Sequence, residues 1–113
     1  MRHEQFFIEK SYFYIMKVSY VYILKCSDNT YYTGITSHLE KRLIEHKTGK
    51  HKNSYTYYRR PIKLVFVSEF TDIKLAISRE KQIKKWSRVK KEALINGEYE
   101  RLSNLAKKKF SEK

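Results

Sequence analysis

Cysteine and long apolar runs are both scarce in this sequence. One cysteine among 113 residues excludes a fold held together by disulfides within the chain. No apolar run approaches the roughly 20 residues that a membrane span requires. The short apolar stretches at residues 6–8 and 12–16 are separated by Glu9 and Lys10, so they are not typical of a secretion signal. A cytoplasmic protein without a membrane partner is therefore the expectation.

Apolar and basic residues are plentiful by comparison. Apolar side chains make up 41% of the chain and aromatics 15%, which excludes disorder, and the length suits one domain. Lys and Arg number 25 against 12 Asp and Glu, a net charge of +13, and the excess lies in residues 38–63 and 79–113. A polyanion is the natural partner for such a charge. A lysine-rich surface that binds nothing is the alternative.

Two β-branched and aromatic segments, residues 20–26 and 30–36, predict a pair of strands. The three residues between them form a hairpin loop if Asn29 adopts the left-handed conformation, which Asn tolerates. That register pairs Tyr22 with Gly34. It places four residues on one face of the sheet: Tyr22, Leu24, Tyr32 and Gly34.

A helix and a third strand follow the hairpin. Ser37 and Glu40 match a capping box for a helix that runs to about Lys47, and Gly49 follows as a stop signal. Its apolar stripe consists of Leu39 and Leu43. Residues 49–61 are predicted to be a loop, and residues 64–70 are apolar enough to predict a central strand.

Three further helices are predicted. The first begins at Thr71 or Asp72 and has an apolar stripe with Glu80 in its middle, where a carboxylate is costly to bury unless it is paired. The stripe consists of Ile73, Ala76, Ile77 and Ile83. Ser87 caps a second helix that ends near residues 96–97. A third covers residues 98–110, with one apolar side formed by Tyr99, Leu102, Leu105 and Ala106.

The chain divides into three parts by this interpretation. Residues 1–17 form an N-terminal extension, residues 18–97 the main domain, and residues 98–113 a basic C-terminal helix or tail. One hypothesis is that Met16 is the true start. The alternative is that the extension adds a short element that packs on the domain through its aromatic residues: Phe6, Phe7 and Tyr12.

The order and spacing of several residues resemble the GIY-YIG nucleases over about residues 18–97. Residues 20–22 and 32–34 correspond to the paired strand motifs, although Tyr20 and Val21 replace Gly and Ile, and Thr33 replaces Ile. Residues 33–36 and 86–88 are similar to stretches of the small stand-alone bacterial members. The ordered set is Tyr22, Tyr32, Gly34, Arg42, His46 and Glu80. The resemblance implies an α+β fold, with a three-stranded antiparallel sheet flanked by helices.

The resemblance also implies catalytic roles that fit the chemistry of these side chains. Glu80 would hold Mg²⁺ or Mn²⁺, since one carboxylate suits an ion that keeps much of its water. Arg42 would bind the scissile phosphate with its planar guanidinium. Tyr22 would act as general base or orient the attacking water, with its phenolate favoured by nearby cations. Tyr32 would orient the water or phosphate, and His46 would assist proton transfer or bind phosphate. Each residue has a structural alternative as a core or surface side chain.

Residues 47–60, called the basic loop below, mix cations with tyrosines, which suits phosphate contacts and stacking on unpaired bases. The predicted binding residues are Gly34, Lys47, Lys50, Lys52, Tyr55, Arg59, Arg60, Lys84 and Arg88. Gly34 would leave room for the substrate backbone or accommodate packing. Binding is expected to be salt-sensitive and independent of sequence.

Three functions remain open at this point. The first is a metal-dependent endonuclease that acts on nucleic acid, with DNA as the expected polymer and DNA repair among the roles compatible with the fold. The second is a non-catalytic nucleic-acid-binding module on the same fold. The third is a structural or protein-interaction domain. A protein partner that selects the substrate is compatible with the small size, but no feature identifies one.

Overall fold

The computed structural model describes residues 17–111, with side chains described as far as residue 105. It contains three strands and four α-helices, with a 3₁₀ turn at Tyr57–Arg59 before the third strand. The elements in chain order are β1 (Ser19–Lys25), β2 (Tyr31–Thr36), α1 (Leu39–Thr48), β3 (Lys63–Phe70), α2 (Ile73–Lys84), α3 (Arg88–Ile95) and α4 (Tyr99–Ser111). The proposals about residues 1–16, including Met16, lie outside the described residues. The predicted α+β class is confirmed.

The three strands form one antiparallel sheet in the order β2-β1-β3. β1 is the central strand because both neighbours pair with it, and its side chains from Val21 to Leu24 are buried on both faces. The prediction that residues 64–70 form the central strand is therefore wrong. β3 lies at an edge, and Val67 on it is well exposed. Most of its apolar residues pack on one face of the sheet. A short apolar run in the sequence does not show whether a strand is buried on one face or on both.

The hairpin between β1 and β2 has the predicted register. Tyr22 lies opposite Gly34, and the amide of Cys26 donates to the carbonyl of Thr30 at 2.9 Å, which closes the turn. Asn29 has φ of 66°, the left-handed conformation that the three-residue loop requires. The shared face is confirmed because Tyr22, Leu24 and Tyr32 belong to one apolar cluster.

Alternation along β1 divides the core into two layers. Val21 and Ile23 pack with Ala76, Ile83 and Leu94, which come from α2 and α3. The side chains of Tyr22 and Leu24 point to the other face. There the cluster is completed by Ile62 and by residues of β2, α1 and β3: Tyr32, Leu39, Leu43 and Leu64.

The helix boundaries follow the sequence signals except at the start of α1. His38 occupies the cap position without a side-chain hydrogen bond, and its amide donates instead to Thr36 Oγ1 at 3.1 Å. The capping box is therefore wrong, because Ser37 lies one residue too early. Gly49 ends α1 in the left-handed conformation, and Asp72 and Ser87 cap α2 and α3 with their side chains.

The buried face of α2 is rotated from its predicted position. Ala76, Glu80 and Ile83 are buried, whereas Ile73 and Ile77 are 52% and 40% exposed. At about 100° per residue, Glu80 then lies at the margin of the buried face and not in its middle. On α4, Leu102 packs against the core but Tyr99 is 68% exposed, so the predicted apolar side is wrong at Tyr99. None of the helices within residues 17–111 combines the length and apolar character that a bilayer crossing needs.

The conformation of Asn29 generates a stability prediction. Asn29→Val should lower the free energy of unfolding by about 1–2 kcal/mol, because a β-branched residue resists the left-handed region. Asn29→Gly should have a much smaller effect. Urea unfolding measures both, with Asn53→Val in the exposed basic loop as the control. An equal loss for Asn29→Val and Asn53→Val would contradict the role of the turn.

Candidate active site

The candidate active site lies on the α1 side of the sheet. Tyr22 on β1 is 1% exposed, and its hydroxyl is 2.8 Å from Nε2 of His46 on α1. The ring of Tyr32 on β2 is edge-on to the His46 ring, with centroids 5.3 Å apart, and 6.3 Å from the ring of Tyr22. Arg42, one helical turn before His46, interacts with the hydroxyl of Tyr22. We call Tyr22, Tyr32, Arg42 and His46 the site cluster.

Gly34 makes room for this arrangement. A Cβ added at Gly34 would overlap the ring and hydroxyl of Tyr22, which lies opposite it in the sheet. The space that Gly34 opens is therefore occupied by Tyr22. This finding favours the packing alternative for Gly34 over direct approach of a substrate backbone.

The described contacts place Glu80 apart from the site cluster. Its helix, α2, packs on the face of the sheet opposite Tyr22. Glu80 is 8% exposed, and its Oε2 lies 3.2 Å from Nζ of Lys84 without hydrogen-bonding geometry. The carboxylate is consequently not enclosed in an apolar core, because the Lys84 side chain is half exposed.

Burial determines the protonation of the site. It raises the pKa of Tyr22 to about 12; neighbouring Tyr32 adds to the rise, and the Arg42 guanidinium opposes it. The expected phenolate is therefore not favoured in the free protein, since desolvation outweighs the cation. Burial, together with the charge of Arg42, lowers the pKa of His46 to about 4. His46 is thus neutral at pH 7, with one ring nitrogen able to accept a proton.

Two residues that the sequence interpretation did not select hold the site cluster in position. Thr56 is buried, and its hydroxyl lies 2.9 Å from Nδ1 of His46. Glu45 accepts from Arg42 at 3.2 Å and is also bridged by Lys50 and His51. The i, i+3 spacing of Arg42 and Glu45 on one helix could have revealed this pair. Nothing in the sequence connects Thr56 to His46.

The electrostatics of Glu45 follow from its three cationic neighbours. Partial burial alone would raise the pKa of Glu45, but hydrogen bonds from Lys50, Arg42 and His51 outweigh this and lower it to about 2. Glu45 is therefore ionised in the free protein and holds the guanidinium of Arg42 in place. A substrate phosphate would compete with this carboxylate for Arg42.

Most of the predicted nucleic-acid-binding cations also have partners within the chain. Arg59 donates to Asp28 at 3.1 Å and lies over the ring of Tyr55, 3.8 Å from its centroid. Lys50 and Lys84 pair with the carboxylates already described. Arg60 lies over the ring of Tyr57, and Arg88 lies over Tyr31 and donates to the carbonyl of Asn29. The remaining exposed lysines of the basic loop's predicted set are Lys47 and Lys52.

Comparison with known proteins agrees with the fold and with the order of these residues. The family model described as the GIY-YIG catalytic domain matches residues 18–93, so this chain belongs to the GIY-YIG family, a nuclease superfamily. A UPF0213 protein of Syntrophus aciditrophicus is 49% identical over 87 residues, covering 77% of this chain and all of the relative. A UPF0213 protein of Clostridium perfringens is 47% identical over 79 residues, covering 70% of this chain and 84% of the relative.

A solved structure supports the same fold. The solution NMR structure of a protein from E. faecalis matches with a TM-score of 0.54 at 32% identity, covering 74% of this chain and 88% of that one. The predicted family and sheet architecture are thereby confirmed. The printed names of these relatives state no activity, metal or substrate.

The depressed pKa of His46 makes stability depend on pH. The unfolded chain binds a proton on this residue near its usual pKa of about 6.5, whereas the folded chain resists protonation until about pH 4. The free energy of unfolding should therefore fall as the pH drops from about 6.5 to about 4. His46→Gln should remove most of this decline, although it lowers stability overall.

Urea unfolding at several pH values between 7.5 and 4 measures the effect. His38→Gln, at an exposed histidine that precedes the same helix, is the matched control and should keep the decline. Protonation of Glu45, whose pKa is lowered to about 2, causes a separate decrease in the free energy of unfolding at lower pH. A decline of equal size in His46→Gln and wild type would assign it to another group.

Proposed function

We propose that this protein is a divalent-metal-dependent endonuclease that hydrolyses phosphodiester bonds in nucleic acid, with DNA as the expected polymer. The observation that carries the proposal is the buried hydrogen bond between Tyr22 and His46, with Arg42 beside the same hydroxyl. This arrangement offers an oxygen to hold the attacking water, a neutral imidazole next to it, and a guanidinium for the phosphate. The cytoplasmic location expected from the single cysteine belongs to the same proposal.

The roles of Tyr22 and His46 follow from their protonation. Because the pKa of Tyr22 is raised to about 12 and that of His46 is lowered to about 4, a proton does not pass from Tyr22 to His46 in the free protein. Tyr22 therefore holds the water through its oxygen, and its proton moves to His46 only once a substrate phosphate adds negative charge beside Arg42 and raises the basicity of His46. This relay requires the tautomer in which Nδ1 donates to Thr56, leaving Nε2 as the acceptor.

Arg42 and Tyr32 complete the proposed chemistry on this face. The guanidinium of Arg42 exchanges Glu45 for two non-bridging phosphate oxygens, and so stabilises the charge that develops as water attacks. Its side chain is about one-third exposed, so a phosphate has access to it. Tyr32 packs against His46 and fixes the plane of the imidazole ring.

Glu80 is the residue that would hold the metal. Its Oε2 is buried without a geometric hydrogen bond, and the ammonium of Lys84 already lies 3.2 Å from it, so a metal cation would take the place of Lys84 beside this carboxylate. Within residues 17–111 no group of three or more His, Cys, Asp or Glu side chains is clustered for a metal, so the fit is to an ion that keeps most of its water, such as Mg²⁺ or Mn²⁺. When bound, the ion supplies Lewis-acid stabilisation of the phosphate charge.

A non-catalytic nucleic-acid-binding module is the second candidate. The observation that favours it is the ion pair of Glu80 with Lys84, on a helix whose Ala76 and Ile83 pack on the face of the sheet opposite Tyr22. Such a module would bind DNA or RNA through the basic loop without turnover. Arg42→Ala would then leave affinity unchanged, and affinity would fall as salt increases.

Removal of one hydroxyl tests the role of Tyr22. Tyr22→Phe should reduce kcat for cleavage of branched, nicked or single-stranded DNA by about 100-fold or more, while leaving binding nearly unchanged, because the ring remains but the water loses its acceptor. Tyr99→Phe, on the exposed face of α4, is the matched control and should cleave like wild type. Cleavage by Tyr22→Phe at the wild-type rate would refute the assignment.

Removal of one negative charge tests the role of Glu80. Glu80→Gln should abolish cleavage stimulated by Mg²⁺ or Mn²⁺, whereas Glu100→Gln on α4 should not alter it. Chelation with EDTA should have the same effect on wild type as Glu80→Gln has in the presence of metal. Activity that survives both chelation and Glu80→Gln would defeat the metal-dependent mechanism. Binding without cleavage in every variant would favour the second candidate.

A further inference from the structure

The three tyrosines of the basic loop differ in what covers their rings. The Arg59 guanidinium lies over the ring of Tyr55, 3.8 Å from its centroid, and the ring of Tyr32 stacks on it with centroids 6.0 Å apart and an interplanar angle of 23°. Tyr55 therefore has two partners for its ring within the protein. Tyr57 carries the guanidinium of Arg60, 4.6 Å from its centroid. Neither ring offers two free faces to a nucleic-acid base.

Tyr58 is the exception. Its side chain is 85% exposed, and its ring meets that of Tyr57 nearly at right angles, with centroids 4.7 Å apart. A ring exposed to this extent has a free face on which another planar group can stack.

The backbone around Tyr58 is well anchored. It belongs to the 3₁₀ turn at Tyr57–Arg59, and the carbonyl of Arg59 accepts from the amide of Ser27 at 2.9 Å. The side chain of Arg59 is fixed by Asp28, and Nε of Arg60 donates to the carbonyl of Tyr57 at 2.9 Å. The ring is thus presented from a segment tied to the β1–β2 turn, so little ordering is needed when a ligand binds.

The charge around Tyr58 indicates the kind of ligand. Residues 47–60 contain five Lys and Arg and no Asp or Glu. Cations that contact phosphates beside an exposed aromatic ring are the combination that binds unpaired nucleotides, because any base can stack on such a ring. Bases inside an uninterrupted duplex are already stacked on their neighbours and have no free face to offer.

We infer that Tyr58 is a stacking platform for an unpaired base, so that this protein selects nucleic acid with single-stranded or interrupted structure over continuous duplex. The inference rests on the proposed function in taking nucleic acid as the ligand. Tyr58 lies outside the site cluster, and its role is to position the strand and not to take part in the chemistry. The inference limits the substrate class of the proposed function to nucleic acid that has unpaired bases.

Equilibrium binding in EDTA tests this inference without cleavage. Three fluorescent DNA probes of equal length are used: a single strand, a duplex with a one-base bulge, and a continuous duplex. Tyr58→Ala should weaken binding to the first two by about tenfold or more, and leave the continuous duplex within about twofold. Tyr58→Trp should restore the preference. Tyr99→Ala, which removes another well-exposed tyrosine, is the matched control and should bind all three probes like wild type.

An abasic site in place of the bulged base should reduce wild-type binding to the level of Tyr58→Ala. Equal effects of Tyr58→Ala on all three probes, or no effect on any, would overturn the stacking role while leaving the proposed function standing. Failure of wild type to bind any probe at low salt would remove the proposed function itself. Tyr58 would then belong to a surface for a protein partner, and the inference would fail with it.

Discussion

The hydrogen bond between Tyr22 and His46 is the interaction on which the candidate site depends. It joins the central strand to α1 across the core, and both side chains are buried. Gly34 leaves room for the tyrosine ring, and Thr56 holds the far nitrogen of the histidine. Because three separate segments converge on one imidazole, the position of Tyr22 is set by tertiary packing rather than by the strand alone.

The same burial that holds the pair together also sets its chemical limits. A phenol and an imidazole taken out of water both favour their neutral forms, so the free site contains neither a phenolate nor an imidazolium at pH 7. The charge in the site belongs to Arg42, which Glu45 neutralises. In the proposed function, a substrate phosphate that binds Arg42 would add negative charge near His46. Substrate binding and proton transfer would then be coupled through one guanidinium.

The hairpin and the order of the site residues could be predicted from sequence because both depend on local rules. Asn29 tolerates the left-handed conformation that a three-residue hairpin loop requires, and the length of that loop determines which residue lies opposite Tyr22. The edge position of β3 and the rotation of α2 could not be predicted in this way, since they depend on which surfaces meet in three dimensions. The direction in which the pKa of Tyr22 shifts in the free protein could likewise not be predicted, because burial raises this pKa and the Arg42 cation lowers it. The resemblance selects Glu80 from the sequence, but it does not predict which face of the sheet the helix of Glu80 covers.

The net charge has two separate effects that the structure distinguishes. Long-range attraction for a polyanion depends on the whole excess of +13, and pairs within the chain do not reduce it. Direct contact with phosphates depends on cations that are free to leave their present partners, and most of the predicted ones are held by carboxylates, carbonyls or aromatic rings. The paired cations stabilise the site. Lys50 and Arg42 form ion pairs with Glu45, and Arg59 lies over the ring of Tyr55, which stacks on Tyr32. In the proposed function, the net charge would attract nucleic acid in general, while discrimination between substrates would depend on the few accessible groups, above all Arg42 and the exposed ring of Tyr58.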